Sequence, residues 1–225
     1  MIRRYFSFAI ISILAFASCT KENNAPKRSL GFEYYPLEKE KVWIYDVDSI
    51  FYDEFYNGRA TNYLFQIKDS IADTFTNLAG NTVYRLERYK KNSDSNIWTY
   101  QKTFTRSIYL RSAEEQIDNQ TFIRFVFPPE LGAVWNGNSR NTLEKQDYRI
   151  ISFPETIQIG ETSYNSVAVV QQSDEFNLID EDIVSESYAK GIGLIKKDVR
   201  QIKKDISSGK IMHGTICIML LNRSY

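Results

Sequence analysis

The sequence predicts an all-β protein built on a single curved antiparallel sheet, a half-barrel or barrel-like meander with at most short helices. Three observations carry that expectation. Phe, Trp and Tyr make up 14% of the 225 residues, and together with abundant Ile, Val and Thr they suit the pleated, half-buried surface of a strand. From Tyr34 onward apolar residues recur at alternate positions, the period of a strand with one buried face. Turn residues cut the chain into many short segments with no long helical pattern between them, the rhythm of an antiparallel meander. A twisted sheet this wide tends to roll up or split, so curvature is expected.

The first segment is not part of that sheet. Arg3 and Arg4 give a positive start, Phe6–Ala15 an apolar run, and Phe16-Ala17-Ser18-Cys19 a box of small residues closed by a cysteine. The run is shorter than the roughly 20 residues that span a bilayer, and its flanks are those of a removable targeting segment. The whole resembles a bacterial lipoprotein signal. That resemblance implies removal of residues 1–18, acylation of Cys19 as the lipidation site, and membrane contact through N-terminal acyl chains. A single chain anchors only marginally, so stable attachment takes several chains on the one cysteine. Thr20 stands where an aspartate would resemble an inner-membrane retention signal, which favours the outer membrane, on either face. Thr20–Ser29 is polar and aperiodic and contains Pro26, so residues 19–31 read as a flexible tether, and the ten residues Thr20–Ser29 reach about 30 Å.

The strands follow in order. Lys41–Phe55 opens the series, with Trp43, Tyr45 and Val47 on one side and Val42, Ile44 and Asp46 on the other. Asn57-Gly58 supplies the positive φ values of a tight hairpin, so Asn62–Ser70 returns. Gly80-Asn81 introduces Thr82–Lys91, where Val83, Arg85, Glu87 and Tyr89 alternate against Tyr84, Leu86, Arg88 and Lys90. The polar run Asn92–Asn96 turns the chain into Ile97–Arg106. Further strands are expected at Ser107–Arg111, Gln120–Phe127, Tyr148–Phe153, Tyr164–Gln171, Ile183–Ala189, Leu194–Lys203 and Lys210–Leu221. The turns between them fall at Asp118-Asn119, Pro128-Pro129, Asn136–Asn141, Gly160, Asp180–Asp182 and Ser207–Gly209. No repeat or shift in composition divides the chain, so residues 32–225 are expected to form a single domain. At about 200 residues it can bury roughly 70% of its unfolded surface without staples.

Several stretches look familiar together: Tyr35-Pro36-Leu37 before Val42-Trp43-Ile44-Tyr45; Tyr84-Arg85-Leu86-Glu87-Arg88-Tyr89; Phe125-Val126-Phe127-Pro128 with Trp135-Asn136-Gly137-Asn138; and Tyr188-Ala189-Lys190-Gly191-Ile192-Gly193-Leu194-Ile195. On these the chain resembles a group of uncharacterised lipoproteins common in Bacteroidetes. The resemblance covers nearly the whole mature chain, implies a curved antiparallel sheet, and brings no catalytic residues. Lys39-Glu40-Lys41 departs from the glycine usual at that point. The motifs also have plain physical readings. Pro36 lacks a donor and suits the start of a first strand, Trp43 and Tyr45 fill a broad core position, and Gly191 and Gly193 mark a bulge or sharp bend.

The residue inventory excludes several chemistries. The chain carries 28 basic and 28 acidic residues, a balance that offers nucleic acid no attractive field. His213 is the sole histidine. Its nearest nucleophile, Cys217, lies on the same strand about 13 Å away, beyond hydrogen-bond reach for a dyad. One histidine with one spare cysteine cannot make a zinc site. Cys217 is expected to pack as a small hydrophobe, without a disulfide. Asp174, Glu175, Asn177, Asp180, Glu181 and Asp182 lack EF-hand spacing and read as a solvated acidic loop. Lys190-Gly191-Ile192-Gly193 lacks the third glycine and the helix of a phosphate loop. Asp46, Asp48, Asp53 and Glu54 supply carboxylates for a glycosidase-like pair, and nothing marks one of them as tuned. Trp98, Tyr100 and Trp135 offer aromatic faces for sugar stacking. Of these, Trp135 falls with Asn136 and Asn138 in an expected loop, which makes the three the best ligand-binding candidates.

The expectation is therefore no catalytic residue, no metal and no cofactor, in a non-enzymatic envelope lipoprotein that binds a protein or glycan partner or serves as a structural module. The first alternative is a carrier that shelters an apolar ligand in a half-barrel, by analogy of fold alone. The second is a carboxylate-dependent hydrolase.

Overall fold

A computed structural model describes residues 29–225; Cys19, residues 1–18 and most of the tether lie outside the described residues. The described chain forms a 12-stranded antiparallel sheet. Its strands are β1 (Val42–Asp53), β2 (Arg59–Thr76), β3 (Thr82–Asn92), β4 (Thr99–Tyr109), β5 (Ser112–Ile117), β6 (Gln120–Val126), β7 (Val134–Asn136), β8 (Asp147–Ile159), β9 (Thr162–Phe176), β10 (Asp180–Ala189), β11 (Gly193–Lys204) and β12 (Ile211–Ser224). Each strand pairs with its chain neighbour except that β6 and β7 are the two ends, while β1 and β12 pair at the centre. Among the described residues helical structure is confined to the 3-10 turns Phe32–Tyr34 and Glu54–Tyr56.

The sheet curls until its ends meet. The Ile123 N–H of β6 donates to the Gly137 carbonyl just past β7 at 2.9 Å. The Trp135 indole N–H donates to the Ile123 carbonyl at 2.9 Å, and the Asn141 amide to the Thr121 carbonyl at 3.0 Å. Two side chains and one main-chain bond thus satisfy an edge that would otherwise be open, and the result is a nearly closed barrel.

Turn chemistry explains most boundaries. Asn57 and Gly58 both adopt positive φ, 54° and 71°, as the hairpin signal requires. Glu40 takes φ 69°, the backbone conformation that glycine would adopt without strain at this point. Three expectations are corrected. The chain does not break between Arg106 and Ser107: β4 continues to Tyr109, turns at Leu110 with φ 52°, and returns as β5, a strand the expected segments did not contain. The Asp180–Asp182 turn and the solvated acidic loop are also replaced. Asp174 and Glu175 lie on β9 and residues 180–182 on β10, because Glu181 is buried in ion pairs with Arg200 and Lys204 of β11. The turn itself is Asn177–Ile179, held by the Asn177 side chain, which accepts from the N–H groups of Ile179 and Asp180 at 2.8 Å each.

The start of β1 and the β10–β11 turn lock together. The Trp43 indole donates to the Ile192 carbonyl at 2.7 Å and the Tyr45 hydroxyl to the Leu194 carbonyl at 3.1 Å. The Gly191 N–H donates to the Glu33 carbonyl at 2.7 Å. A Cβ on Gly193, whose φ is 93°, would stand 3.2 Å from the Pro36 ring. The opening and closing motifs are therefore one contact, formed where the β10–β11 turn packs under the start of β1.

Candidate functional site

The barrel interior is filled. Tyr34, Phe125, Tyr148, Ile150 and Tyr188 form one apolar cluster, and Trp43, Tyr45, Ile71, Leu86 and Ile195 form a second. Charged side chains share strand faces with both: Asp69 with Ile71, Arg88 with Leu86, Arg106 with Phe104, Glu115 with Ala113, and Glu186 with Tyr188. Two bulges add to the set. Ala113 pairs with Phe125 and Glu114 with Ile123, which leaves Arg124 as an extra residue; Val184 pairs with Ser173 and Ser185 with Gln171, which does the same for Gln172. A bulge re-aims a side chain, and both of these reach the interior network.

Every member of that network except one hydroxyl finds a partner. Arg88 grips Asp69 through two bonds of 2.7 Å. Arg106 and Arg124 hold the two oxygens of Glu115, Arg106 at 2.9 Å and Arg124 at 3.0 and 3.1 Å. Glu186 accepts from Gln172 and Tyr188 at 2.6 Å each and from Lys197 at 2.7 Å. Burial alone would raise both carboxyls. At Glu115 the cations of Arg124, Arg106 and Arg88 outweigh it, and at Glu186 those of Lys197 and Arg124 do, so each stays below the ordinary carboxylate range. The Tyr35 hydroxyl is buried without a protein partner, and burial pushes its phenol up. Between these groups lies a cavity of about 30 Å³, room for a water-sized guest. This part of the lumen has no space for the alkyl chain that a half-barrel carrier would shelter, because charged and aromatic side chains occupy it; a further concavity of about 470 Å³ opens at the end of the barrel beside Tyr35, Leu37, Tyr84 and Ile108.

The sequence-derived candidates take structural positions. Trp135 lies on β7, with its indole edge-on to Tyr148 at 6.0 Å and its N–H committed to the barrel seam. Asn136 accepts from the N–H groups of Asn138 and Gln146, and Asn138 donates to the Glu144 carbonyl at 2.7 Å. The polar groups of the trio thus build the loop they belong to. Trp98 stands elsewhere, 5.1 Å from each of the Lys68 and Lys91 ammonium groups. His213 and Cys217 both lie on β12, with the imidazole edge-on to Phe51, and burial pushes the Cys217 thiol up. Among the described residues no group of three or more His, Cys, Asp or Glu is placed to hold a metal ion.

Another concavity is on the outside. Solvent-facing strand positions of an antiparallel barrel are normally polar, yet Leu64 of β2 and Ile218 of β12 face outward, 55% and 42% exposed. Both flank Asp48 of β1 in register, as Gln66 and Leu220 flank Asp46. The β3–β4 connection, Ser93–Asn96, rises beside them, with the Ser93 N–H donating to the Leu64 carbonyl at 3.3 Å. Together they enclose an open groove of about 590 Å³, within the size range of small-molecule sites. Asp46 accepts from Gln66 and Asn222 amides at 2.7 Å each. Sequence reading treated Asp46 and Asp48 only as a hydrolase pair. The alternation of Leu64 with Gln66 and of Ile218 with Leu220 was the signal for an apolar outer face.

No family model matches the chain, and no curated protein matches it. Among solved structures, it is similar to a Bacteroides fragilis protein assigned as exported and as having a YmcC-like fold, at 8% identity and a TM-score of 0.42, over 84% of this chain and 97% of that one. It is also similar to a protein assigned as a lipoprotein in Parabacteroides distasonis, at 10% identity and a TM-score of 0.38, over 85% and 98% of the respective chains. At these values neither likeness transfers a residue role to this chain.

Proposed function

We propose that the protein is a non-enzymatic module of the cell envelope, held at the outer membrane by acylated Cys19, that binds an apolar group on the outer face of its barrel. The observation that supports binding outside is the contrast between the cavity of about 30 Å³ left among the buried charged groups and a groove of about 590 Å³ flanked by Leu64, Ile218 and Leu220. The lipobox ending at Cys19 supports the anchor. The domain then acts as a rigid scaffold whose charged interior fixes the strands that carry the groove.

Fractionation and cross-linking in intact cells test both halves. Wild-type protein is expected in the membrane fraction and the Cys19→Ala variant out of it. A photo-cross-linking residue at Ser95, in the groove wall, is expected to form an adduct that the Leu64→Glu change abolishes, while the same residue at Glu161, in the β8–β9 turn, forms none. Equal adducts at both positions, or an adduct indifferent to Leu64→Glu, contradict the outer-face reading.

A further inference from the structure

The groove combines apolar walls with two carboxylates, Asp46 and Asp48, on its β1 floor and one ammonium, Lys91, at its β3 side. Asp46 is held by two amides, which orient it and leave its charge intact. Asp48 lies two residues along the same face, about 7 Å away, and among the described residues neither aspartate makes an ion pair. The Lys91 and Lys68 ammonium groups each stand 5.1 Å from the Trp98 ring, on the far side of β2 from the aspartates, and Lys196, in register with Leu220, pairs with Asp198 at 3.0 Å. At the β1 floor an anionic head group would meet two like charges, and a cationic one would meet two opposite charges beside the apolar side chains of Leu64, Ile218 and Leu220.

The backbone narrows the choice further. β1 is hydrogen-bonded to β2 on one side and to β12 on the other, so the groove floor offers no free edge on which a peptide strand can add. On this floor recognition comes from side chains, by apolar contact and charge. We propose that the groove takes a cationic amphiphile, a molecule with an alkyl chain against Leu64, Ile218 and Leu220 and an ammonium group at Asp46 and Asp48. The proposal rests on the outer-face binding reading and adds the class of ligand.

The test uses the acylated full-length protein in nanodiscs of zwitterionic lipid, with the methyl resonances of Leu64, Ile218 and Leu220 as local reporters. Three probes share one chain length: hexylammonium, hexyl sulfate and hexanol. Hexylammonium is expected to bind about tenfold more tightly than hexyl sulfate, the ratio that two exposed ion pairs supply. In Asp46→Asn/Asp48→Asn that preference is expected to disappear while hexanol binding stays unchanged, which shows the groove intact. Equal affinity for the three probes overturns the cationic ligand and leaves outer-face binding standing. No shift with any probe overturns both.

Discussion

Glu115 shows how an acid can sit at the centre of a β-barrel without being a site of chemistry. Its two oxygens are divided between Arg106 and Arg124, so it is ionised and fully bonded, the opposite of a general acid poised by desolvation. Removing one partner of a buried pair strands the other charges, which costs about 3–5 kcal/mol; Glu115→Gln is expected to lower stability by that amount at pH 7. Because the folded carboxyl lies below its unfolded value, the stabilisation is present above about pH 4.3 and fades as pH falls through the lower folded value. Denaturant unfolding of both proteins between about pH 7 and pH 2 is expected to show their difference shrinking in acid. A difference independent of pH contradicts the assignment.

At the scale of elements, long strands depend on a few backbone positions. Gly214 on β12 has φ 120°, and a Cβ there would fall on the Gln201 carbonyl of β11. Gly160 in the β8–β9 turn also has positive φ, 57°, with nothing within 4 Å of a Cβ. Gly160→Ala is expected to cost about 1 kcal/mol for conformation alone, and Gly214→Ala about 2–4 kcal/mol, since the β11–β12 ladder must move as well. Equal costs in chemical denaturation contradict the close approach. The same elements mark what the sequence could disclose. Asn57-Gly58 announces its hairpin because only such residues favour that conformation, whereas Leu110 turns the chain with no such signature and hides β5. The place of Glu181 on β10 depends on Arg200 and Lys204 of the next strand, partners at a distance that local polarity cannot show. The alternation that puts Arg88 beside Leu86 was visible, yet its inward direction follows from the closing of the barrel. The bulges that turn Arg124 and Gln172 inward leave no local sequence mark.

For the whole molecule, closure and filling decide where binding can occur. The chain runs as two meanders from the central β1–β12 pair, and their free ends join through Ile123, Trp135 and Asn141. Curvature was legible from the number of strands, since a twisted sheet that wide rolls up or splits. The filled lumen was not, because the charges that occupy it read as solvent-facing in isolation. Phe32–Tyr34 pack at the end of the barrel that carries the β10–β11 turn, where the Gly191 N–H meets the Glu33 carbonyl. Xenon, an apolar atom that enters dry cavities, distinguishes inside from outside most directly. Under xenon pressure, the methyl resonances of Leu64, Ile218 and Leu220 are expected to shift while those of Leu86, Ile150 and Ile195 stay fixed; shifts at the interior methyls with none at the groove would contradict binding on the outer face of a filled barrel.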